Sequence, residues 1–417
     1  MKILHTSDWH IGRTFHTHPT LEHLGTVLTA LVEVVRDRGV DVVVVAGDIF
    51  DSAMPSRDSL GVLTTVLRQL KAAGAIVVMT SGNHDSAARL GFQAEWARLA
   101  GIHIITRHDE YLEPVTVTDA HGPVHFYGIP YLEPVIIRHH HPEEELKTHE
   151  QVLGFVMRGV RADAAARGGR SVVLAHCFAA GSAPATEASE VERDITAGGL
   201  DVVSTSVFDG PDYVALGHIH GRATLSNRVR YCGAPLHYSF SEAGKPRGAW
   251  LVELGAVGAD ADVEWVDLPV PRRLSQITGT LDELLGDPSL RRNEGDWVKA
   301  VLTDRVRPLD GMRQLHERFP FCVALEHRPS VVVDPEASTY RERVRAKSDP
   351  DIVAGFLEYV RNGVGPTEFE AALITEILQQ QNSTNEQNST TEQNSTTEQH
   401  GATEQHSAPS TAQGVRS

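Results

Sequence analysis

Five short stretches of the chain combine carboxylate, imidazole and amide side chains at spacings suited to holding metal ions. They are Asp8-Trp9-His10, Gly47-Asp48-Ile49-Phe50-Asp51, Gly82-Asn83-His84-Asp85, Ala175-His176 and Gly217-His218-Ile219-His220. This mixture of oxygen and imidazole nitrogen suits borderline divalent ions such as manganese, iron or zinc better than calcium. One carboxylate has two oxygens and can bridge a pair of ions about 3.5–4 Å apart, the arrangement that serves hydrolytic attack at phosphorus. Asp48 is the candidate bridge, because it follows what reads as the most buried strand and a glycine that lets the backbone turn. Asn83 offers a neutral oxygen, which limits negative charge beside an anionic substrate. Asp-x-His alone is a weak signal. Gly-Asn-His-Asp fixes four residues, with a chance frequency of roughly 1 in 10⁵ per position. The ordered set of five is strong.

The elements around these stretches explain how they could meet. Lys2–Thr6 reads as a strand, and a helix follows from Thr20 as N-cap to Gly39, with Leu21, Leu24, Leu28, Leu31 and Val35 at helical spacing. Val40–Ala46 is a β-branched run expected of a strand buried on both faces. Ser56 opens a second helix ending near Gly74. Ala75–Thr80 is the next strand, and Ala87–Leu99 the next helix. This order predicts parallel strands with right-handed crossovers. Further strands are expected at Val124–Ile129, Ser171–Ala175, Tyr213–Leu216 and Val229–Cys232, with a helix over Glu143–Arg167. Each motif then sits just past a strand, where ligands gather in open α/β sheets.

Pro269–Pro271 reads as a boundary. Beyond it, Trp297–Thr303 (strand), Asp310–Arg318 (helix) and Cys322–Leu325 (strand) suggest a small α+β unit. Asp349–Leu378 holds two amphipathic helical patterns split at Gly363–Pro366. From Gln379 onward Glu-Gln-Asn-Ser-Thr-Thr recurs at a six-residue period, a composition that builds no core and reads as disordered. Asn382, Asn388 and Asn394 match the glycosylation sequon by composition alone.

The 417 residues suggest more than one domain. The longest apolar stretch, Val42–Ala46, is far short of the roughly 18 residues of a membrane span. The N-terminus lacks the apolar segment and cleavage site of a signal peptide. Cys177, Cys232 and Cys322 are too scattered for a disulfide framework or a cysteine zinc site. A cytoplasmic protein with no membrane association is expected. The net charge of −17 counts mildly against nucleic acid, although clustered carboxylates are neutralised by metal and local patches decide binding.

Most of the 22 histidines must be ordinary. His139-His140-His141 reads as a solvated loop and His5 as a satisfied core residue. His16 and His18 read as loop residues, with a DNA contact as the functional alternative. Asp85 is expected to orient the loop, and Trp9 to pack. For Arg13, Arg57 and Arg89, phosphate binding and solvated surface stand level.

The five motifs resemble the calcineurin-like metallophosphoesterase superfamily. Longer stretches, made mostly of residues that are not metal ligands, narrow the resemblance to its SbcD branch, the nuclease subunit of the bacterial SbcCD complex. These are Ser189–Asp201, Asp212–His220 and Gly233–Glu242, with Leu302-Thr303-Asp304 and Phe319-Pro320 similar to that branch's cap. The resemblance covers about residues 1–378. It implies an α/β fold, a four-layer αββα sandwich, over residues 1–268. A small α+β cap at the DNA entrance would follow at 269–340, helices docking the partner at 349–378, and a disordered tail at 379–417. It implies two divalent ions, usually Mn²⁺. Asp8, His10, Asp48 and His220 would hold the first, and Asp48, Asn83, His176 and His218 the second. His84 would be catalytic, facing the scissile phosphate. The implied activity is a 3′→5′ double-strand exonuclease and single-strand or hairpin endonuclease in DNA repair and recombination. The implied partners are DNA ends and hairpins and an SbcC-type coiled-coil ATPase, in a heterotetramer containing a homodimer of this subunit. The archaeal and eukaryotic branch has His where this chain has Asp51, so Asp51 is left out of the site. The rivals are a two-metal phosphatase or phosphodiesterase for small substrates and a non-catalytic assembly subunit.

Overall fold

Val42–Ala46 is buried along its whole length, and its two faces enter different cores. Val43 and Val45 pack with the helices Leu21–Arg38 and Arg57–Ala72. Val42 and Val44 join a second cluster with Phe126, Val172, Leu174 and Ala215. A strand with both faces covered has no reason to alternate, which is why this stretch is a β-branched run.

The computed structural model describes residues 1–180, 202–330 and 347–381. The Ser189–Asp201 stretch, the 331–340 end of the cap segment, and the repeat tail from 382 with its three sequons lie outside the described residues, whereas 379–381, expected to be disordered, end a helix. The chain forms two compact units. The larger comprises Met1–Ile277, Asp287–Ala300 and Leu315–Leu325, and the smaller comprises Thr278–Gly286, Val301–Gln314 and the chain from Glu326. No helix among the described residues is long and apolar enough to cross a membrane.

Two six-stranded sheets dominate the larger unit. In the first, Lys2–Thr6, Val42–Ala46, Ile76–Thr80 and Ile102–Ile105 run parallel in that order. Gly248–Glu253 pairs antiparallel on the other side of Lys2–Thr6, and Asp262–Asp267 closes that edge. In the second sheet, Gly122–Ile129, Arg170–His176, Tyr213–Gly217 and Val229–Tyr231 run parallel. Val115–Asp119 and Ala223–Thr224 are its antiparallel edges. The inter-sheet cluster lies between them. On the outer face of the second sheet, Val152, Val156, Met157 and Val160 of the helix His149–Arg167 pack against Val173, Ala175 and Val214. The layers are therefore helix, sheet, sheet, helix, the αββα sandwich that the resemblance implies.

Several local expectations need correction. Thr20 makes no side-chain cap, and its hydroxyl instead donates to the Arg13 carbonyl at 2.6 Å. The 87–99 helix is two short ones, Ala87–Leu90 and Ala94–Leu99, because Gln93 between them adopts φ 65°. The helix expected from Glu143 begins at His149, where Thr148 and Gln151 form a capping box. The triple-histidine tract ends the helix Pro134–His140, with His139 and His140 exposed. Ser56 does cap its helix, accepting from Ser59 N at 3.1 Å.

A buried charge lies far from the motifs. Arg170 is 2% exposed. Its guanidinium donates to both oxygens of Asp119, at 3.1 and 2.5 Å, and to the carbonyls of Gly255 and Gly122, at 2.8 and 2.7 Å. The hydrogen bonds from Arg170 hold the Asp119 carboxyl well below the usual carboxylate range. A depressed carboxylate contributes stability above its unfolded pKa, and that contribution is lost as pH falls towards the folded value. Asp119→Asn should cost about 3 kcal/mol at pH 7, because the guanidinium stays buried without its counter-charge. Denaturant melts should show the gap between wild type and variant narrowing as pH falls below about 4. A gap independent of pH would count against this account.

In the larger unit, Phe15, Leu274 and Trp297 make a small separate core. The strand–helix–strand expected of the cap segment is found as Trp297–Leu302, Gly311–Arg318 and Cys322–His327. In the smaller unit, Asp349–Val360 and a second helix over 368–381 are joined by Arg361, which donates twice to Glu370 at 2.8 and 2.7 Å. Arg305 fixes the turn between them through the carbonyls of Asn362 and Gly363, at 3.1 and 3.0 Å.

Candidate metal centre

All five motifs lie at the carboxyl ends of parallel strands of the two sheets, within the larger unit. Their backbones are bent to bring the side chains inward. Asp8, His10, Asp48 and His218 have φ of 52°, 43°, 48° and 106°, a region that side-chain-bearing residues rarely occupy. Such strain persists only where surrounding structure enforces it, and it concentrates at functional sites. Two glycines make the turns possible. A Cβ on Gly47, at φ 80°, would be driven into the His176 ring, and one on Gly82 into the Asp48 carboxylate.

The ligand-type atoms converge closely. His10 Nε2 lies 3.1 Å from His220 Nε2. Asn83 Oδ1 lies 3.0 Å from His176 Nε2 and 3.2 Å from His218 Nδ1. Asp48 Oδ2 is 3.3 Å from His176 Nε2 and 3.6 Å from His10 Nε2. Asp48 belongs to two clusters of metal-ligand type, one with His10 and His84 and one with Asp8 and His176. The main chain and neighbours hold these groups from behind. His84 N donates to Asp48 Oδ1 and His218 N to Asp8 Oδ1, each at 2.9 Å. His176 Nδ1 lies 2.9 Å from the Ala46 carbonyl, so it carries the proton there.

Because of that proton, the fit to a cation can be tested. With Nδ1 protonated, His176 Nε2 of a neutral ring is a lone pair, and it faces Asp48 Oδ2 and Asn83 Oδ1, which are lone pairs too. Only a proton or a metal cation can sit among them. Adjacent ligands on an ion with bonds of about 2.1 Å lie about 3.0–3.4 Å apart, and the observed separations cluster there. The residues fit divalent metal.

Burial opposes charge throughout. It pushes the Asp8 carboxyl up to about 6 and the His10 and His218 rings down to about 4 and about 3. Burial also opposes the charges on Asp48 and His176, but their mutual attraction, with help from neighbouring groups, prevails. Asp48 is held well below the usual carboxylate range, and His176 is raised to about 9. A bound divalent ion takes over the proton's place in such a pair.

The remaining residues singled out from the sequence take clear places. His84 is about one-third exposed, and its Nδ1 donates to the Asp51 carbonyl at 2.9 Å, which leaves Nε2 for the solvent side. Asp85 clamps two loops, accepting from Ile49 N, Phe50 N and Gly82 N at 3.0, 2.9 and 2.9 Å. Trp9 is fully buried and donates to Thr6 Oγ1 at 2.9 Å. His5 bridges the two sheets, donating to the Leu216 carbonyl at 3.2 Å and accepting from the Tyr213 hydroxyl at 2.9 Å. Arg13 faces Asp51 at 3.4 Å and stacks on Tyr238. Arg89 donates to the Ala53 carbonyl, Arg57 starts its helix in the open, and His16 and His18 are exposed. Sequence reasoning missed Glu242, a buried carboxylate 3.7 Å from His220 Nδ1. Its only signal was its place at the end of the Gly233–Glu242 stretch.

An αββα sandwich with carboxylate, imidazole and amide ligands gathered at its strand ends is the build of a metal-dependent phosphoester hydrolase. A family model described as calcineurin-like phosphoesterase matches residues 1–222, more than half of the chain. The chain belongs to that family, whose members use divalent metals. Among solved structures, it is similar to the protein TT1561 of Thermus thermophilus, at 16% identity over 63% of this chain and 98% of that one, with a TM-score of 0.37. It is similar to a dimetal phosphatase from Danio rerio, at 16% identity over the same shares, with a TM-score of 0.36. An archaeal phosphodiesterase matches at 13% identity over 64% of this chain and 100% of that one, with a TM-score of 0.26.

Proposed function

We propose that this chain is an SbcD-type DNA nuclease, cleaving phosphodiesters at DNA ends and hairpins with two divalent ions, Mn²⁺ in the cell. The observation that carries the two-metal reading is the position of Asp48 Oδ2, within 3.6 Å of His10 Nε2 and 3.3 Å of His176 Nε2. It supports Asp8, His10, Asp48 and His220 around one ion and Asp48, Asn83, His176 and His218 around the other. The DNA reading is supported by the Asp212–His220 and Gly233–Glu242 stretches, which resemble the SbcD branch beyond the metal ligands.

Bound ions supply Lewis acidity towards the phosphoryl oxygens and a nucleophilic water at neutral pH. The chain's own residues do the rest. Asp48 keeps its position because His84 N holds its other oxygen. His176 keeps its Nε2 inward because the Ala46 carbonyl fixes Nδ1. His84 directs Nε2 to the scissile phosphate and, as an imidazolium protonated at both nitrogens, stabilises developing charge there and hands its Nε2 proton to the departing sugar oxygen.

The partner reading rests on the smaller unit. Phe356, Phe369, Leu373 and Ile377 are 59%, 76%, 43% and 47% exposed. They offer an apolar face of the kind that a coiled coil grips. The test is cleavage of a labelled DNA hairpin with Mn²⁺, with and without an SbcC-type ATPase and ATP. Both the full chain and a chain ending at Arg345 should be used. Metal-dependent hairpin cleavage, broadened by the ATPase only for the full chain, is expected. Turnover of a generic phosphodiester with no cleavage of DNA would move the function to small substrates. Broadening that survives the truncation would remove the helices from the partner contact.

A further inference from the structure

The stretch Gly233–Glu242 contains no residue assigned to the metals, yet it ends beside one that is, His220. Glu242 is 1% exposed at the end of the short turn Phe240–Glu242. Its Oε2 accepts from Tyr238 N at 3.1 Å and from the Arg247 guanidinium. Its Oε1 stands 3.7 Å from His220 Nδ1. Arg247, 2% exposed, also donates to the His220 carbonyl. The ring and the main chain of His220 are thus both addressed by one buried ion pair.

A buried ion pair is a poor device for stability, since an apolar pair of similar volume serves as well or better. Its presence here calls for another use. A carboxylate behind a metal-binding imidazole fixes the tautomer, orients the ring and raises its basicity. We propose that Glu242 is the positioning residue of His220: its carboxylate faces the Nδ1–H and keeps the proton there, so that Nε2 is presented to the ion beside His10 Nε2. This rests on the two-metal reading above. Arg247 is the counter-charge that keeps Glu242 ionised out of water.

The test is calorimetric titration of the metal-free full chain with Mn²⁺, beside its thermal melt. Wild type should bind two ions. Glu242→Gln, which keeps the shape and loses the charge, should weaken one of the two about 10–100-fold. The other site and the metal-free melt should stay close to wild type. A purely structural Glu242 would lower the melt and leave metal affinity untouched. If Glu242→Gln does not fold, the double variant Glu242→Gln/Arg247→Leu removes both charges and is read the same way. A folded variant binding two ions as wild type does overturns the role of Glu242 and leaves the metal centre standing. Wild type binding no Mn²⁺ overturns the centre itself.

Discussion

Asp48→Ala should abolish phosphodiester hydrolysis, with a fall on the order of 10³-fold or more, and should leave less than one divalent ion per chain. The reason is the double use of one side chain. Asp48 Oδ2 stands between His10 and His176, which belong to different proposed ion sites. Removing it takes one negative ligand from each ion at once. The loss is also electrostatic, because the charge that raises His176 comes chiefly from Asp48. Alanine tolerates φ 48° less well than aspartate, so a cooperative melt of the variant is the control that keeps the result interpretable. Metal analysis by mass spectrometry, with hydrolysis of a generic phosphodiester, decides the matter. Retention of two ions with full loss of turnover would make Asp48 a catalytic group and leave the ions with other ligands.

His84→Ala should separate chemistry from metal binding. Turnover should fall about 10²–10⁴-fold while the chain keeps close to two ions. His84 is pinned from two sides, through its N to Asp48 and its Nδ1 to the Asp51 carbonyl, and only Nε2 is left for a substrate. Truncation to alanine keeps the main-chain hydrogen bond to Asp48, so the bridge should stay in place. The competing outcome has a structural basis, since His84 also falls in one cluster with His10 and Asp48. Loss of an ion in this variant would make His84 a ligand and end its assignment to the leaving group.

Much of this was legible because the informative features are local. Val42–Ala46 announces a doubly covered strand, and Gly-Asn-His-Asp announces a loop built for a metal. The parallel order of the first strands follows from the helices between them. What escaped has non-local or backbone causes. Gly248–Glu253 was not foreseen as a strand, and its partner Lys2–Thr6 lies at the other end of the unit. Gln93 breaks a helix through its φ, which its side chain does not advertise. Glu242 reads as one acidic residue among 55 Asp and Glu, and only the fold sets it behind His220. The left-handed backbone at Asp8, His10, Asp48 and His218 was likewise invisible. Propensity describes what a residue prefers, and these four are held where they do not prefer to be.

The strand Lys2–Thr6 lies inside its sheet, with Val42–Ala46 on one side and Gly248–Glu253 on the other, in the register Lys2 to Glu253. Lys2–Thr6, once synthesised, therefore waits for a partner strand far along the chain. At synthesis rates of about 5–20 residues per second, that delay is on the order of 10–50 s. Throughout it, an apolar β-edge stands unpaired, the condition in which chains recruit one another. Expression should thus be limited by what shields the nascent chain. Slowed translation past residue 253 would help nothing, whereas a chaperone acting before it should raise the soluble yield.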